Sequence, residues 1–406
     1  MSDGVTLTAQ PSLFAGPRAN PDGFWAAIML AFLTTAGLFY VNIMPAIVSG
    51  LVDGMGASPD RAGYVGAANM YGSAVGALAA VFAASRLPWR KAAFVALVLL
   101  VGIDGISALQ TSVTPLIAIR ACHGLVGGFL IGVGFTVIAR TASPDRSFGM
   151  LLVVQYGLGG LGLRFLPGLV QTGGTAVLFE ALTAFSLVTL VMLPFLAPYP
   201  PRPKAIEGEA AAPGVPKLPA FLALLAVFLF QGGNMAVMAY VIELGRAKGL
   251  ELGWISNALS EANWIAILGA VAVYAVGARF GRMKPLMIGL AVTLVGMGLF
   301  YRSDVAAFFY AANVVTGLTW AFLIPYLLGQ CAAFDTHGQM AALSGFFSKM
   351  GLASGPMIAA LVVGGSAHYE PILHLAIVAL VLCAVAAFLP ARLLDRAAAS
   401  RQGTES

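Results

Sequence analysis

The chain has 406 residues, 59% of them hydrophobic and only 10% charged, with a mean hydropathy of +0.90. No soluble domain of this length needs so apolar a composition, so the chain reads as a polytopic membrane protein. Its net charge of +5 does not point to nucleic acid, because Lys and Arg are spread over short loops and gather on no single face.

Residues 1–22 contain Asp3, Asp22, Pro11, Pro17 and Pro21, and no basic region leading into a cleavable apolar segment. They read as a short cytoplasmic tail. A hydrocarbon core of ~30 Å calls for roughly 20 apolar residues per crossing. Six stretches of that kind follow, at 24–48, 61–84, 91–109, 114–138, 148–170 and 175–196, and define an N-terminal bundle over 23–197. Residues 198–217, rich in Pro, Ala and charge, break the pattern and read as a cytoplasmic linker. Six more stretches, at 218–241, 252–276, 285–300, 305–328, 340–363 and 371–389, define a C-terminal bundle over 218–390, and 391–406 is a second cytoplasmic tail. The expected fold is all-α, with twelve transmembrane helices in two six-helix bundles.

Fifteen basic residues fall on the side of the two tails and four on the other, with Arg120, Arg164 and Lys349 inside stretches. The excess of positive charge places both termini in the cytoplasm of a bacterial-type inner membrane. The two halves also resemble each other at an offset of 193 residues. Gly124, Leu125, Phe129, Leu130 and Ile131 match Gly317, Leu318, Phe322, Leu323 and Ile324; Gly76 and Ala77 match Gly269 and Ala270; Arg86 and Lys91 match Arg279 and Lys284. Parallel repeats of this kind bind a substrate between the halves, near the midplane, and rock about it.

These features resemble the major facilitator superfamily of transporters, over about residues 24–390. That family's loop between its second and third helices typically reads Gly-x-x-x-Asp-Arg-x-Gly-Arg-Arg. Here Arg86 and Arg90 stand in the first copy, and Arg279, Gly281 and Arg282 in the second, while the acidic position holds Ser85 and Ala278. The family's fourth-helix pattern Arg-x-x-Gln-Gly appears as Arg120-Ala121-Cys122-His123-Gly124. The Gly-Pro pattern that drug/proton antiporters carry in the fifth helix is reversed here as Pro167-Gly168, and the intact Gly355-Pro356 lies in the eleventh stretch. The resemblance implies secondary transport by alternating access, a monomer, and a cavity-facing role for Arg120.

Ionisable groups within a crossing are expensive and are paired, functional or both. With ~1.5 Å of rise per residue, Asp104 and Arg120 reach the same depth on neighbouring helices, as do Arg164 and Glu180. Each couple reads as a structural ion pair or as cavity chemistry, and Arg164–Glu180 is assigned the structural role. His123, one turn from Arg120, is a candidate proton group. Glu261 and Lys349 both lie ~14 Å into their helices, near the midplane. Glu261 is expected to carry a proton, with Lys349 as ligand for a substrate anion or as counter-charge; a plain ion pair between them is the alternative. Tyr40, Asn42, Gln231, Asn234, Asn313 and Trp320 are expected to line the cavity, each with a helix–helix hydrogen bond as its bland alternative.

Cys122, Cys331 and Cys383 are dispersed in apolar stretches without disulfide or metal spacing, and no phosphate loop or nucleophile motif occurs. The chain is therefore expected to be no enzyme, to carry no cofactor and to draw on an ion or substrate gradient. The leading expectation is a proton-coupled transporter of a small organic solute, an organic anion first. A proton-antiport exporter of drugs or metabolites is the first rival. A non-transporting receptor or assembly factor is the second.

Overall fold

The structure, a computed structural model, describes residues 18–83, 87–200, 217–276, 279–334, 339–366 and 368–404. Among them the chain forms fourteen α-helices and two short 3-10 turns, with no strand. They are α1 (Phe24–Asn42), α2 (Met44–Met55), α3 (Pro59–Ala83), α4 (Trp89–Ala108), α5 (Val113–Ile138), α6 (Pro144–Gly173) and α7 (Ala176–Met192) in the first half. The second half holds α8 (Lys217–Ala239), α9 (Val241–Ala247), α10 (Leu252–Val276), α11 (Met283–Leu299), α12 (Ala306–Ala332), α13 (Gln339–Val363) and α14 (Glu370–Thr404). Eleven helices are long and apolar enough to cross a membrane. The 25-residue α10, ~37 Å long, completes the twelve. Most of the 198–217 linker lies outside the described residues.

The first crossing is broken where the sequence pattern runs on. Ile43 leaves helical geometry at φ −107°, ψ 16°, between α1 and α2. Pro45 causes this, because it has no N–H for the Val41 carbonyl and its ring crowds the preceding turn. The equivalent break between α8 and α9 falls at Tyr240, φ −114°, ψ 11°, without a proline. The segment expected as a tail from 391 instead continues α14 to Thr404.

The repeat is visible in the packing. α3 and α10 begin and end 193 residues apart. A Cβ on Gly76 would strike the Leu125 carbonyl of α5, and one on Gly269 would strike the Leu318 carbonyl of α12, which is the same contact shifted by the repeat. Such glycines let helix backbones touch where lipid supplies no hydrophobic drive for association. Between the halves, α3 packs on α13 and α6 packs on α10. Helix ends near the N-terminus are tied together: the Ala19 N–H donates to the Phe195 carbonyl at 2.9 Å, and the Tyr199 hydroxyl donates to the Pro21 carbonyl at 2.9 Å.

Candidate functional site

The polar residues fall into three groups: a sealed cluster inside the first half, a half-exposed set between the halves, and a charged set at the end away from the termini. The sealed cluster centres on Arg120 of α5. Its Nη1 donates to Asp104 Oδ1 at 2.7 Å, and both side chains are fully buried. Its Nη2 donates to the Ile103 carbonyl at 3.2 Å and to Ser107 Oγ. The guanidinium carbon also lies 4.9 Å from the Phe179 ring centre and 5.9 Å from that of Tyr40. The pairing expected from depth thus forms, and backbone, hydroxyl and ring faces surround the Nη2 side of the guanidinium, while Nε is buried without a hydrogen-bond partner among the described residues.

His123 joins this cluster through Nε2, 3.3 Å from Asp104 Oδ1. Asn69 Nδ2 donates to the Arg120 carbonyl at 3.2 Å and lies 2.8 Å from His123 Nδ1. An amide nitrogen can only donate, so Nδ1 accepts and the neutral ring carries its proton on Nε2, toward Asp104. Tyr40 packs its ring 5.8 Å from His123 and is itself buried. Tyr40, and Arg120 by the resemblance, were expected to face the cavity, with Asp104 as ion-pair partner or cavity chemistry and His123 as a proton group; all four form the interior of the N-terminal half. Asn234 and Asn313 are buried too. Each turns its amide back to a carbonyl of its own helix, Phe230 and Phe309, at 2.8 Å.

Within the C-terminal half, Trp320 Nε1 donates to Gln231 Oε1 at 2.8 Å, and Gln231 Nε2 donates to Ser348 Oγ at 2.8 Å. This chain joins α12, α8 and α13 beside Lys349, the next residue of α13. Lys349 is half-buried and has no ion-pair or hydrogen-bond partner among the described residues. In the N-terminal half, Asn42 Nδ2 donates to the Gln155 backbone carbonyl of α6 and Gln155 Nε2 donates to Asn42 Oδ1, both at 3.3 Å. A Cβ on Gly159 would sit 3.2 Å from Asn42 and 3.8 Å from Asn263 of α10, so these two asparagines face one point from opposite halves.

Glu261 does not face Lys349. It lies on the exposed face of α10 that also carries Leu268 and Val271, 61% and 57% exposed, and it bonds the Tyr310 hydroxyl. Rotation about the helix axis, which depth does not fix, turns it toward the periphery, with Asn263 on the other side of the helix. Arg164 and Glu180 do not pair either. Arg164 donates to Asn257 Oδ1 across the interface with α10, and Glu180 is exposed on α7.

At the end away from the termini the halves are latched. Arg246 Nη1 of α9 lies 2.7 and 2.9 Å from the two carboxylate oxygens of Asp53 on α2, and 3.4 Å from Glu243 Oε1. Positions 53 and 246 are 193 residues apart, the repeat offset. Two residues equivalent under a pseudo-two-fold touch one another only beside its axis, so this ion pair marks the axis. The Tyr240 hydroxyl donates to the Pro59 carbonyl at 3.0 Å, Tyr71 and Ser354 share a hydroxyl bond at 3.0 Å, and Trp264 Nε1 donates to the Gly157 carbonyl at 3.1 Å. Tyr71 and Trp264 are themselves 193 residues apart, so one cross-half contact recurs in both copies. Among the described residues these bonds run from mid-depth to the far end, and the molecule is closed there. Beyond the membrane spans, burial pushes the Glu243 carboxyl above the usual carboxylate range, partly offset by a bond from the Ser49 hydroxyl and by Arg246.

The loop residues behave asymmetrically. Arg86 lies outside the described residues, and Arg90 folds over the Trp89 ring at 5.4 Å. In the second copy Gly281 adopts φ +71°, and a Cβ there would strike the Asp395 carboxylate. That carboxylate accepts the N–H groups of Arg282 and Met283, at 2.8 and 3.0 Å, at the start of α11. Arg282 Nη1 donates to the Gly329 carbonyl at 3.0 Å, and Arg279 is exposed. The acid missing from the loop at Ala278 is thus matched by one from α14. Sequence reasoning missed Asp395, Asp53, Arg246, Gln155 and Asn263. A signal existed for Asp53 and Arg246 alone, in their separation by the repeat offset.

A family model described as "Uncharacterised MFS-type transporter YbfB" matches residues 36–388. Among solved structures, the chain is similar to the nucleoside transporter NupG, in a point-mutant form, with a TM-score of 0.69 and 13% identity over 90% of this chain and 98% of that one. It is similar also to a bacterial homologue of the human lysosomal transporter Spinster, in an inward-facing and unoccupied conformation. That match has a TM-score of 0.68 and 13% identity over 93% of this chain and 98% of the other. Comparison with curated protein sequences finds no match.

Proposed function

We propose, from the premise that this chain belongs to the YbfB-type family of major facilitator superfamily transporters, that it carries a small organic anion across a bacterial inner membrane. The observation that carries the anion reading is Lys349. It is a half-buried ammonium at mid-depth on α13, a helix that packs against α3 of the other half, without a carboxylate partner among the described residues. An uncompensated cation at that depth is costly, and a carboxylate on the solute would offset the cost on binding. Trp320 and Gln231, tied to Ser348 beside it, offer an aromatic face and amide groups for the rest of the solute. Asn42 and Asn263 would meet it from α1 and α10, so that binding draws on both halves.

With both termini cytoplasmic, the closed end is the outer one, and the solute would exchange with the cytoplasm in this state. Coupling to protons belongs to the same reading. Its candidate groups are the Asp104–His123 pair, 3.3 Å apart, and Glu261 on α10. The test is proton and solute flux in proteoliposomes holding a pH-sensitive dye, challenged with carboxylates, sugars, nucleosides and amphipathic cations. The expected result is acidification with one class of carboxylate, lost in Lys349→Ala and altered in Asp104→Asn or Glu261→Gln. Uptake of that carboxylate at the wild-type rate by Lys349→Ala would overturn the anion site. A proton signal with cations alone would move the reading to export by antiport.

A further inference from the structure

A cleft of about 570 Å³ opens on the flank of the N-terminal half, between α3 and α4, with α5 as its floor. Its walls are shaped by small residues, among them Gly76, Ala79, Ala92 and Ala96, and Leu125 and Phe129 lie beneath them. The helix faces around it are apolar and open, with Val75 56%, Phe82 69% and Val95 54% exposed. This flank therefore meets acyl chains and not water. From Lys91 to Leu99 the cleft follows α4 for ~12 Å along the membrane normal.

Among the described residues, one charged residue lines it. Lys91 stands at the end nearest the termini, exposed, and among the described residues it has no ion-pair or hydrogen-bond partner and no carboxylate lines the cleft. The mouth lies at the level of the bilayer interface. Trp89, two residues before Lys91 and on a different side of α4, packs its ring 6.2 Å from that of Tyr199, which holds the N-terminal segment at Pro21. An ammonium at this level, on a helix whose first turn also carries a tryptophan, is the side-chain chemistry of a headgroup zone.

We propose that this cleft binds one chain of an anionic phospholipid, whose phosphate pairs with Lys91. The apolar walls accept any acyl chain, so they supply attachment without choice. The ammonium supplies the choice, because an anionic headgroup brings net negative charge and a zwitterionic one does not. The site rests on the fold alone and is independent of the solute proposal.

The test is native mass spectrometry of the purified full chain with phosphatidylglycerol or phosphatidylcholine of identical chains. Wild type is expected to retain the anionic lipid about fivefold better, the selectivity one basic residue supplies near a membrane surface. Lys91→Gln is expected to equalise the two lipids, and Ala79→Phe or Val95→Trp to lower retention of both by filling the wall. Both wall positions are exposed, so their variants are expected to keep the wild-type unfolding midpoint. Inorganic phosphate at matched concentration should displace nothing. Equal retention by wild type, an unchanged preference in Lys91→Gln, or displacement by free phosphate would each overturn the site. Unaltered binding in both wall variants would remove the cleft from it.

Discussion

Removing the Asp53–Arg246 pair tests whether the far end is latched by that contact. In Asp53→Asn, Arg246 loses an ion pair in which one nitrogen straddles both carboxylate oxygens at 2.7 and 2.9 Å. The side chains are 35% and 23% exposed, so solvent screens much of the attraction. A value of ~1 kcal/mol is the upper part of the range for such pairs. That corresponds to about a fivefold rise in the population open at this end. Spin labels at Arg61 on α3 and at Glu251 just before α10, both exposed at that end, would read the opening as a second distance population in pulsed electron resonance. The exchange Asp53→Arg with Arg246→Asp regenerates the pair with its direction reversed, because the two positions lie across a pseudo-dyad, and should return the wild-type distribution. Unchanged distances in Asp53→Asn, or an exchange variant as open as the single one, would refute the latch.

Three further outcomes follow from the packing and the charges. Because burial raises the Glu243 carboxyl, the closed arrangement holds that proton more tightly than one that exposes it. Closure should be strongest at acidic pH and weaken as pH rises through the raised value, and Glu243→Gln should remove that dependence in the same distance measurement. The groups facing this carboxyl are Ser49, Asp53, Arg246 and Tyr369, so Tyr369→Phe is the control expected to keep the dependence. Asp104→Asn leaves Arg120 buried without its counter-charge and should cost about 3–5 kcal/mol of stability, read as a lower unfolding midpoint. The double variant Asp104→Leu with Arg120→Leu should lose less, and equal losses would sink the buried-charge account. Gly124→Ala drives a Cβ into the Asn69 carbonyl and should destabilise by about 1–3 kcal/mol. Its repeat partner Gly317→Ala meets Ala266 and Ala262 at 3.4 and 3.5 Å, ordinary contact, and should leave the midpoint unmoved.

Crossings and repeat were legible in the sequence because hydropathy and offset are properties of the chain read along one line. Depth is of the same kind, which is why Asp104 and Arg120 were matched correctly. Facing is not. Glu261 has the depth expected of it and the wrong azimuth, and Arg164 and Glu180 share a level while pointing to different neighbours. Asn234 and Asn313 were read as cavity groups, yet each uses its amide nitrogen on the preceding turn of its own helix, a local bond that competes with any ligand. Gln231 and Trp320 do meet, at 2.8 Å, but only the packing of α8 on α12 brings them together. Asp395 escaped notice because it caps a helix more than a hundred residues upstream, and no periodicity reports that.

The ion pair on the pseudo-dyad bears on how such a molecule can be built. If either half were used twice, the position on the axis would confront its own copy, Asp against Asp or Arg against Arg, at a separation where like charges repel. A symmetric pair of identical six-helix units therefore cannot hold this end shut by an ion pair on the axis, since a contact there must use the same side chain from each partner. Joining the halves in one chain lifts that restriction, because each copy is then free to take a different residue at the same place. The latch is thus a property of the fusion and of neither half alone.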